Sequence, residues 1–148
     1  MYVVLAIICI VGLSLIAIWI KRKRARIEME QHSISPEALR AILESNQHVL
    51  LYDVRQPLDL LADSEILPGA TRISPREVLE NPALIPKDND VVVYCTCPGD
   101  ETSRRVLHRA RKMHISRIRL LKGGLAAWKA KGYPVVPYNA TFHLDIRS

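Results

Sequence analysis

Cys95 and Cys97 lie in a polar segment, Cys95-Thr96-Cys97-Pro98-Gly99-Asp100-Glu101, between Val91-Val92-Val93-Tyr94 and the basic stretch that begins Thr102-Ser103-Arg104-Arg105. Three successive valines make a β-branched run too short for a helix, and they suit a central parallel strand covered on both faces. Cys95 then falls at the carboxyl end of that strand, where open α/β sheets place their ligands and chemistry. Thr102 or Ser103 is expected to cap the next helix, whose apolar positions Val106, Leu107, Ala110 and Met113 recur at helical spacing. A thiol beside a helix N-terminus meets unpaired backbone N–H groups and the positive end of the macrodipole, and both favour the thiolate. The residue types point to a cysteine nucleophile held in a loop.

Other chemistries fit less well. Two thiols with no C-x₂-C and no paired histidines do not complete a tetrahedral zinc set, so no metal is expected. His108 and His114 stand six residues apart, off any common helix face, and read as surface residues. An oxyanion ring of the Cys-x₅-Arg kind does not close: the residue reached after five intervening positions from Cys97 is Ser103, and eight residues separate Cys95 from Arg104. No Gly-rich phosphate loop or dinucleotide fingerprint is present, and no cofactor is expected. Cys97 has two readings, a small loop side chain or a resolving thiol that takes sulfur from Cys95 by thiol exchange.

The elements that must position Cys95 alternate. Ser35-Pro36-Glu37 opens a helix with cap, first-position proline and first-turn acid, and Leu39, Ile42 and Leu43 form its apolar face. His48 to Val54 reads as a strand, and Ser74-Pro75-Arg76-Glu77 as a capping box opening a second helix that Asn81-Pro82 ends. Arg117 to Leu121 is another strand, and Gly123-Gly124 turns into a last helix containing Trp128 and closing at Gly132. Such alternation predicts a parallel or mostly parallel α/β sheet.

The first segment differs from all of this. Tyr2 to Ile20 carries no charge, and at 1.5 Å per residue it spans about 28 Å, near the thickness of a bilayer core. Lys21, Arg22, Lys23, Arg24 and Arg26 follow at once. A cleaved secretory signal has the opposite order. The expectation is a single transmembrane helix at 2–20 in the inner or plasma membrane. By the positive-inside rule the N-terminus is then outside and the remainder cytoplasmic. A basic juxtamembrane linker at 21–32, a folded domain at 33–138 and a tail at 139–148 complete the organisation. Three cysteines, with Cys9 in the apolar run, fit a reducing compartment.

The net charge of +6 is unevenly spread. Ile27 to Glu101 holds fourteen acidic and five basic residues, whereas Thr102 to Leu144 holds ten basic and no acidic ones. The basic half either attracts an anionic substrate or membrane surface, or is a solvated helix face. Aromatic content of 5% with no aromatics among the charges argues against nucleic acid as a partner.

With these features in hand, the chain from Ser33 to Tyr138 resembles a single rhodanese domain. The resemblance rests on Asp53-Val54-Arg55, Pro68-Gly69-Ala70, the strand ending at Cys95, and Gly123-Gly124-Leu125-Ala126-Ala127-Trp128 followed by Gly132-Tyr133-Pro134-Val135. It implies a rhodanese-like parallel sheet flanked by helices on both faces, preceded here by one transmembrane helix. It also implies a sulfurtransferase in which Cys95 accepts sulfane sulfur as a persulfide, from thiosulfate or a persulfide, and passes it to a thiol or cyanide. The expected catalytic residues are Cys95 and Cys97. Thr96, Pro98, Gly99, Asp100, Glu101, Thr102, Ser103 and Arg104 are expected to line the substrate site, with Asp53 and Arg55 as scaffold support. Partners are a small sulfur donor, a thiol acceptor and the membrane. A non-catalytic module that recruits a partner to the membrane is the alternative. Two departures stand out: the loop is about two residues longer than the common form, and it has acids where the family has an arginine.

Overall fold

The valine run is the middle of the sheet. The computed structural model describes residues 1–96 and 101–139, the side chains of Val3, Leu5, Ala6 and Glu101 excepted. In chain order the elements are α1 (Tyr2–Gln31), β1 (Ser33–Ile34), α2 (Pro36–Glu44), β2 (Val49–Asp53), α3 (Pro57–Ala62), β3 (Glu65–Ile66) and β4 (Ala70–Arg72). Then come α4 (Pro75–Glu80), a 3₁₀ turn (Pro82–Leu84), β5 (Asp90–Tyr94), α5 (Glu101–Lys112), β6 (Ile118–Leu121), α6 (Gly124–Ala130) and β7 (Val136–Pro137). They form two compact units, Met1–His32 and the chain from Ser33 onward.

In the second unit β1, β6, β5, β2 and β4 make one parallel sheet in that order, and β3 pairs antiparallel with β7 beside it. β5 is central, with Val91, Val92 and Val93 paired to β2 on one side and β6 on the other, all three fully buried. Alternation along the strand sends Val92 and Tyr94 to one face, where they pack with Leu39 of α2 and Leu125 and Trp128 of α6. On α5, Val106, Leu107 and Ala110 are buried while Arg104, Arg105, His108 and Arg109 are exposed. Met113, expected on the apolar face, lies beyond the helix end and is 40% exposed.

The helix starts follow their local chemistry. Ser35 Oγ accepts the Ala38 N–H at 3.2 Å, and Glu77 reaches back to the Ser74 N–H at 3.0 Å. Thr102 and Ser103 do not cap α5. The helix begins at Glu101, which puts both in its first turn, where they are buried.

In the first unit α1 is one continuous helix of 30 residues, so the basic stretch expected as a linker is helical to Gln31. Lys23 places its ammonium 5.0 Å from the centroid of the Trp19 ring. Among the described residues no helix is long and apolar enough to cross a membrane. The transmembrane helix expected at 2–20 is therefore not shown.

Trp128 holds α6 to its neighbours. Its Nε1–H donates to the Pro134 carbonyl at 2.9 Å, and Tyr133 meets its ring edge-on at 4.9 Å between centroids. Trp128→Ala should lower the unfolding free energy by about 3–5 kcal/mol. Trp128→Phe, which loses chiefly the hydrogen bond to the exposed Pro134, should cost only roughly 0.5–1.5 kcal/mol, because water can replace the lost donor. Urea unfolding followed by circular dichroism would read both.

Candidate active site

The carboxyl end of β5 is fixed from both sides. On one side, the Val54 N–H donates to the Tyr94 carbonyl at 3.0 Å and the Asp53 carbonyl accepts the Ile73 N–H at 3.0 Å. On the other, the Leu125 N–H donates to the Cys95 carbonyl at 3.1 Å. That approach depends on the two glycines before it. Gly123 and Gly124 have φ of 69° and 54°, left-handed values that side chains rarely tolerate. A Cβ on Gly124 would lie 1.7 Å from the Cys95 carbonyl oxygen, well inside van der Waals contact. The glycine pair read from the sequence as a turn is thus also a clearance, which lets the start of α6 close on the backbone of the cysteine. Cys95 itself is fully buried.

Beneath it lies an enclosed ion pair. The Asp53 and Arg55 side chains are both inaccessible to solvent, and Nη2 of Arg55 is 2.7 Å from Oδ2 of Asp53. Arg55 Nε donates to both carboxylate oxygens, at 3.0 and 2.8 Å, and its backbone N–H donates to Oδ1 at 3.0 Å. The remaining guanidinium donors reach the Asp63 and Glu65 carbonyls at 2.7 and 2.8 Å. Arg55 therefore ties β2 to the segment leading into β3. Lys129 of α6 closes the same segment from outside, 2.9 Å from Asp63 and 2.5 Å from Glu65. Burial alone would raise the Asp63 carboxyl, but the hydrogen bonds from Lys129 and from the Glu65 backbone hold it below the ordinary range.

Tyr94 extends this network into the core. Its hydroxyl accepts the Leu67 N–H at 3.1 Å. Burial first, and then the Asp53 carboxylate, push its phenol well above the usual range, so it stays neutral. Sequence reading passed over this residue, because a tyrosine ending an apolar strand looks like filler.

Of the expected site residues, the fold gathers Asp53, Arg55, Cys95, Thr96, Thr102 and Ser103 at the carboxyl edge of the sheet. Ser103 Oγ is buried and has no hydrogen-bond partner among the described residues. Arg104 is exposed on α5, away from the buried group. Glu101 is the first residue of α5, and Cys97, Pro98, Gly99 and Asp100 lie outside the described residues. Arg72, at the end of β4, joins the same edge and had no signal beyond a charge closing a short strand.

A buried cysteine at the end of the central strand of a parallel α/β sheet, with a helix starting past it, belongs to the class of folds whose ligands gather at the carboxyl ends of the strands. Residues 35–131 match the family model of the Rhodanese-like domain, and the chain belongs to that family. A sulfurtransferase of Allochromatium vinosum is 30% identical over 105 residues, covering 71% of this chain and 94% of that protein. A full-length protein of Lactobacillus plantarum shares the fold at a TM-score of 0.67 and 17% identity, over 79% of this chain and 97% of that one. The rhodanese-like domain of an Anabaena sp. protein does so at a TM-score of 0.62 and 23% identity, over 79% and 96%.

Gly124→Ala should cost about 3 kcal/mol or more, because it adds a backbone clash to a strained φ. Gly123→Ala should cost less, since its Cβ meets chiefly the Ala127 methyl, at 2.6 Å, which can shift with its helix. Parallel urea titrations would rank the two.

Proposed function

We propose that this chain is a sulfurtransferase that carries sulfane sulfur on Cys95. The observation that supports this most is the fixed position of Cys95 at the end of β5, clamped through Gly124. The Cys95 thiolate attacks the outer sulfur of thiosulfate. A new S–S bond forms, the bond to the inner sulfur breaks, and sulfite leaves with the electron pair. The result is a persulfide anion on Cys95. An acceptor thiolate, or cyanide, then attacks the terminal sulfur, and Cys95 leaves as thiolate. No oxidant or reductant is consumed in either step. Thr102 and Ser103 stand in the first turn of α5, where backbone amides and the Ser103 hydroxyl can donate to the terminal sulfur. Within the loop, Thr96, Pro98, Gly99, Asp100 and Glu101 surround the donor in this reading. Cys97 accepts the sulfur from Cys95 and passes it on.

The complete burial of Cys95 supports a second reading, a rhodanese-like module that binds a partner without transferring sulfur. A thiol with no exposed surface is harder for a donor to reach.

Membrane attachment is part of the proposal. The uncharged run Tyr2–Ile20 followed by five basic residues supports an N-terminal anchor with the rhodanese-like domain on the cytoplasmic side. So does the ring of exposed apolar residues on α1, among them Ile8, Leu13 and Trp19, each more than 60% exposed.

Cys95→Ser should abolish persulfide loading, read as the gain of one sulfur atom in the intact mass after exposure to thiosulfate, with circular dichroism unchanged. Cys97→Ser should still load but should deliver sulfur to a thiol acceptor more slowly. A parent protein that gains no sulfur would leave the binding module as the better reading. For the anchor, a reporter fused after Ser148 should behave as cytoplasmic, and neutralising Lys21, Arg22, Lys23, Arg24 and Arg26 should weaken that orientation. Export of the unmodified fusion would overturn it.

A further inference from the structure

The cations on α5 differ from those elsewhere on the domain in having nothing to neutralise them. Arg104, Arg105, His108, Arg109 and Lys112 are exposed, whereas Val106, Leu107 and Ala110 between them are buried. The five therefore share the solvent face of one helix, along about 12 Å of its axis. Among the described side chains none of them has an ion-pair partner, and Thr102 to Leu144 contains no acid. Other surface cations are answered: Arg40 by Glu44, Arg76 by Glu80, Arg117 by Asp90, Lys129 by Asp63 and Glu65, and Lys131 by Glu37, each at 2.9 Å or less. α4 packs against α5, yet its acids are engaged at home, since Glu77 accepts the Ser74 N–H and Glu80 pairs with Arg76.

The stability of α5 does not account for this face. Arg109 and Lys112 belong to the last turn, where the macrodipole favours cations, but Arg104 and Arg105 stand near the first, where it opposes them. Those two residues directly follow Thr102 and Ser103, which lie with Cys95 at the carboxyl edge of the sheet. The cationic face thus starts beside the site and runs away from it. Between Arg104 and Lys112 it exposes no apolar or aromatic side chain. A helix that rests on a membrane surface sets apolar residues beside its basic ones, and a nucleic-acid surface interleaves aromatics. Charge with neither suits an acidic protein surface, where complementarity speeds encounter and fixes orientation more than it prolongs the complex.

Resting on the sulfurtransferase reading, we propose that the exposed face of α5 docks the thiol acceptor. That acceptor is a protein whose receiving cysteine lies beside an acidic patch, and docking brings the cysteine to the edge that holds Cys95.

The probe is a labelled peptide with one cysteine beside a run of Glu and Asp, matched by a peptide with Gln and Asn in their place. Binding to the full-length protein in uncharged detergent micelles is read by fluorescence anisotropy. The acidic peptide should bind at low salt, weaken as salt screens the charges, and accept sulfur faster than the matched peptide. Replacing Arg105, Arg109 and Lys112 together by Gln should weaken it about fivefold or more and lower kcat/KM for transfer to it by a similar factor. Thiosulfate loading and transfer to dithiothreitol should stay at parent rates. The triple control Arg40→Gln, Arg76→Gln and Lys131→Gln removes the same charge elsewhere and should leave peptide binding within about twofold. In the parent, the acidic peptide should also slow phenylglyoxal labelling of Arg105 and Arg109, read by peptide mass spectrometry, which needs no variant to fold. Equal losses in the two triple variants, binding that survives the α5 replacements, or an acidic peptide that is no better acceptor than its match would each overturn the proposal. So would protection of Arg105 and Arg109 by phosphatidylglycerol nanodiscs and not by the peptide, which would assign the face to lipid. A parent that binds the peptide through α5 but never gains sulfur from thiosulfate would uphold the docking face and overturn the sulfurtransferase reading beneath it.

Discussion

A carboxylate and a guanidinium, both sealed from water, hold the working edge of this sheet together. Asp53 and Arg55 cannot be separated cheaply, because removing one partner strands a buried charge at a cost of about 3–5 kcal/mol. The pair is more than an electrostatic contact. Arg55 spends its remaining donors on the Asp63 and Glu65 carbonyls, so the end of β2 and the approach to β3 are set by one side chain. β3 in turn pairs with β7, and Lys129 of α6 reaches Asp63 and Glu65 from outside. Segments far apart in the chain thus converge on two residues of a three-residue motif.

The cysteine depends on this edge and on one absent methyl group. β5 is held by β2 and β6, and its last carbonyl before the loop, that of Cys95, is taken by the Leu125 N–H. Fixing the backbone on both sides leaves the thiol little freedom, which suits a nucleophile whose target must come to it in one orientation. The same enclosure makes the thiol inaccessible in the state described.

Charge on this chain is organised in layers. Fixed, buried charge lies at the strand ends, where Asp53 and Arg55 pair out of contact with solvent. Exposed cations line α5, where Arg104, Arg105 and Arg109 face solvent and are screened over roughly 10 Å at 0.1 M salt. The cluster at 21–26 belongs to α1, with Lys23 over the Trp19 ring at the point where the apolar run meets the basic one. The net charge of +6 is therefore the sum of three separate groups and not one uniform field.

Period and punctuation alone determined a good deal here. The valine run could only be a buried strand, Ser35-Pro36-Glu37 and Ser74-Glu77 could only open helices, and the alternation of the two required a parallel sheet with Cys95 at a strand end. These features are local, decided by a few neighbouring side chains and the backbone geometry they permit. Whatever required two distant segments to meet was decided by the tertiary structure. Gly124 read as a turn, and only packing against Cys95 shows that its missing Cβ is a clearance. Thr102 and Ser103 read as caps, yet the helix starts earlier and buries them in its first turn. Tyr94 and Arg72 carried no sequence signal of their own, and only the register places both beside Asp53. Sequence patterns carry the preferences of single residues, whereas a shared carboxylate, an unmet donor or a forbidden methyl group exists only between residues that the fold has brought together.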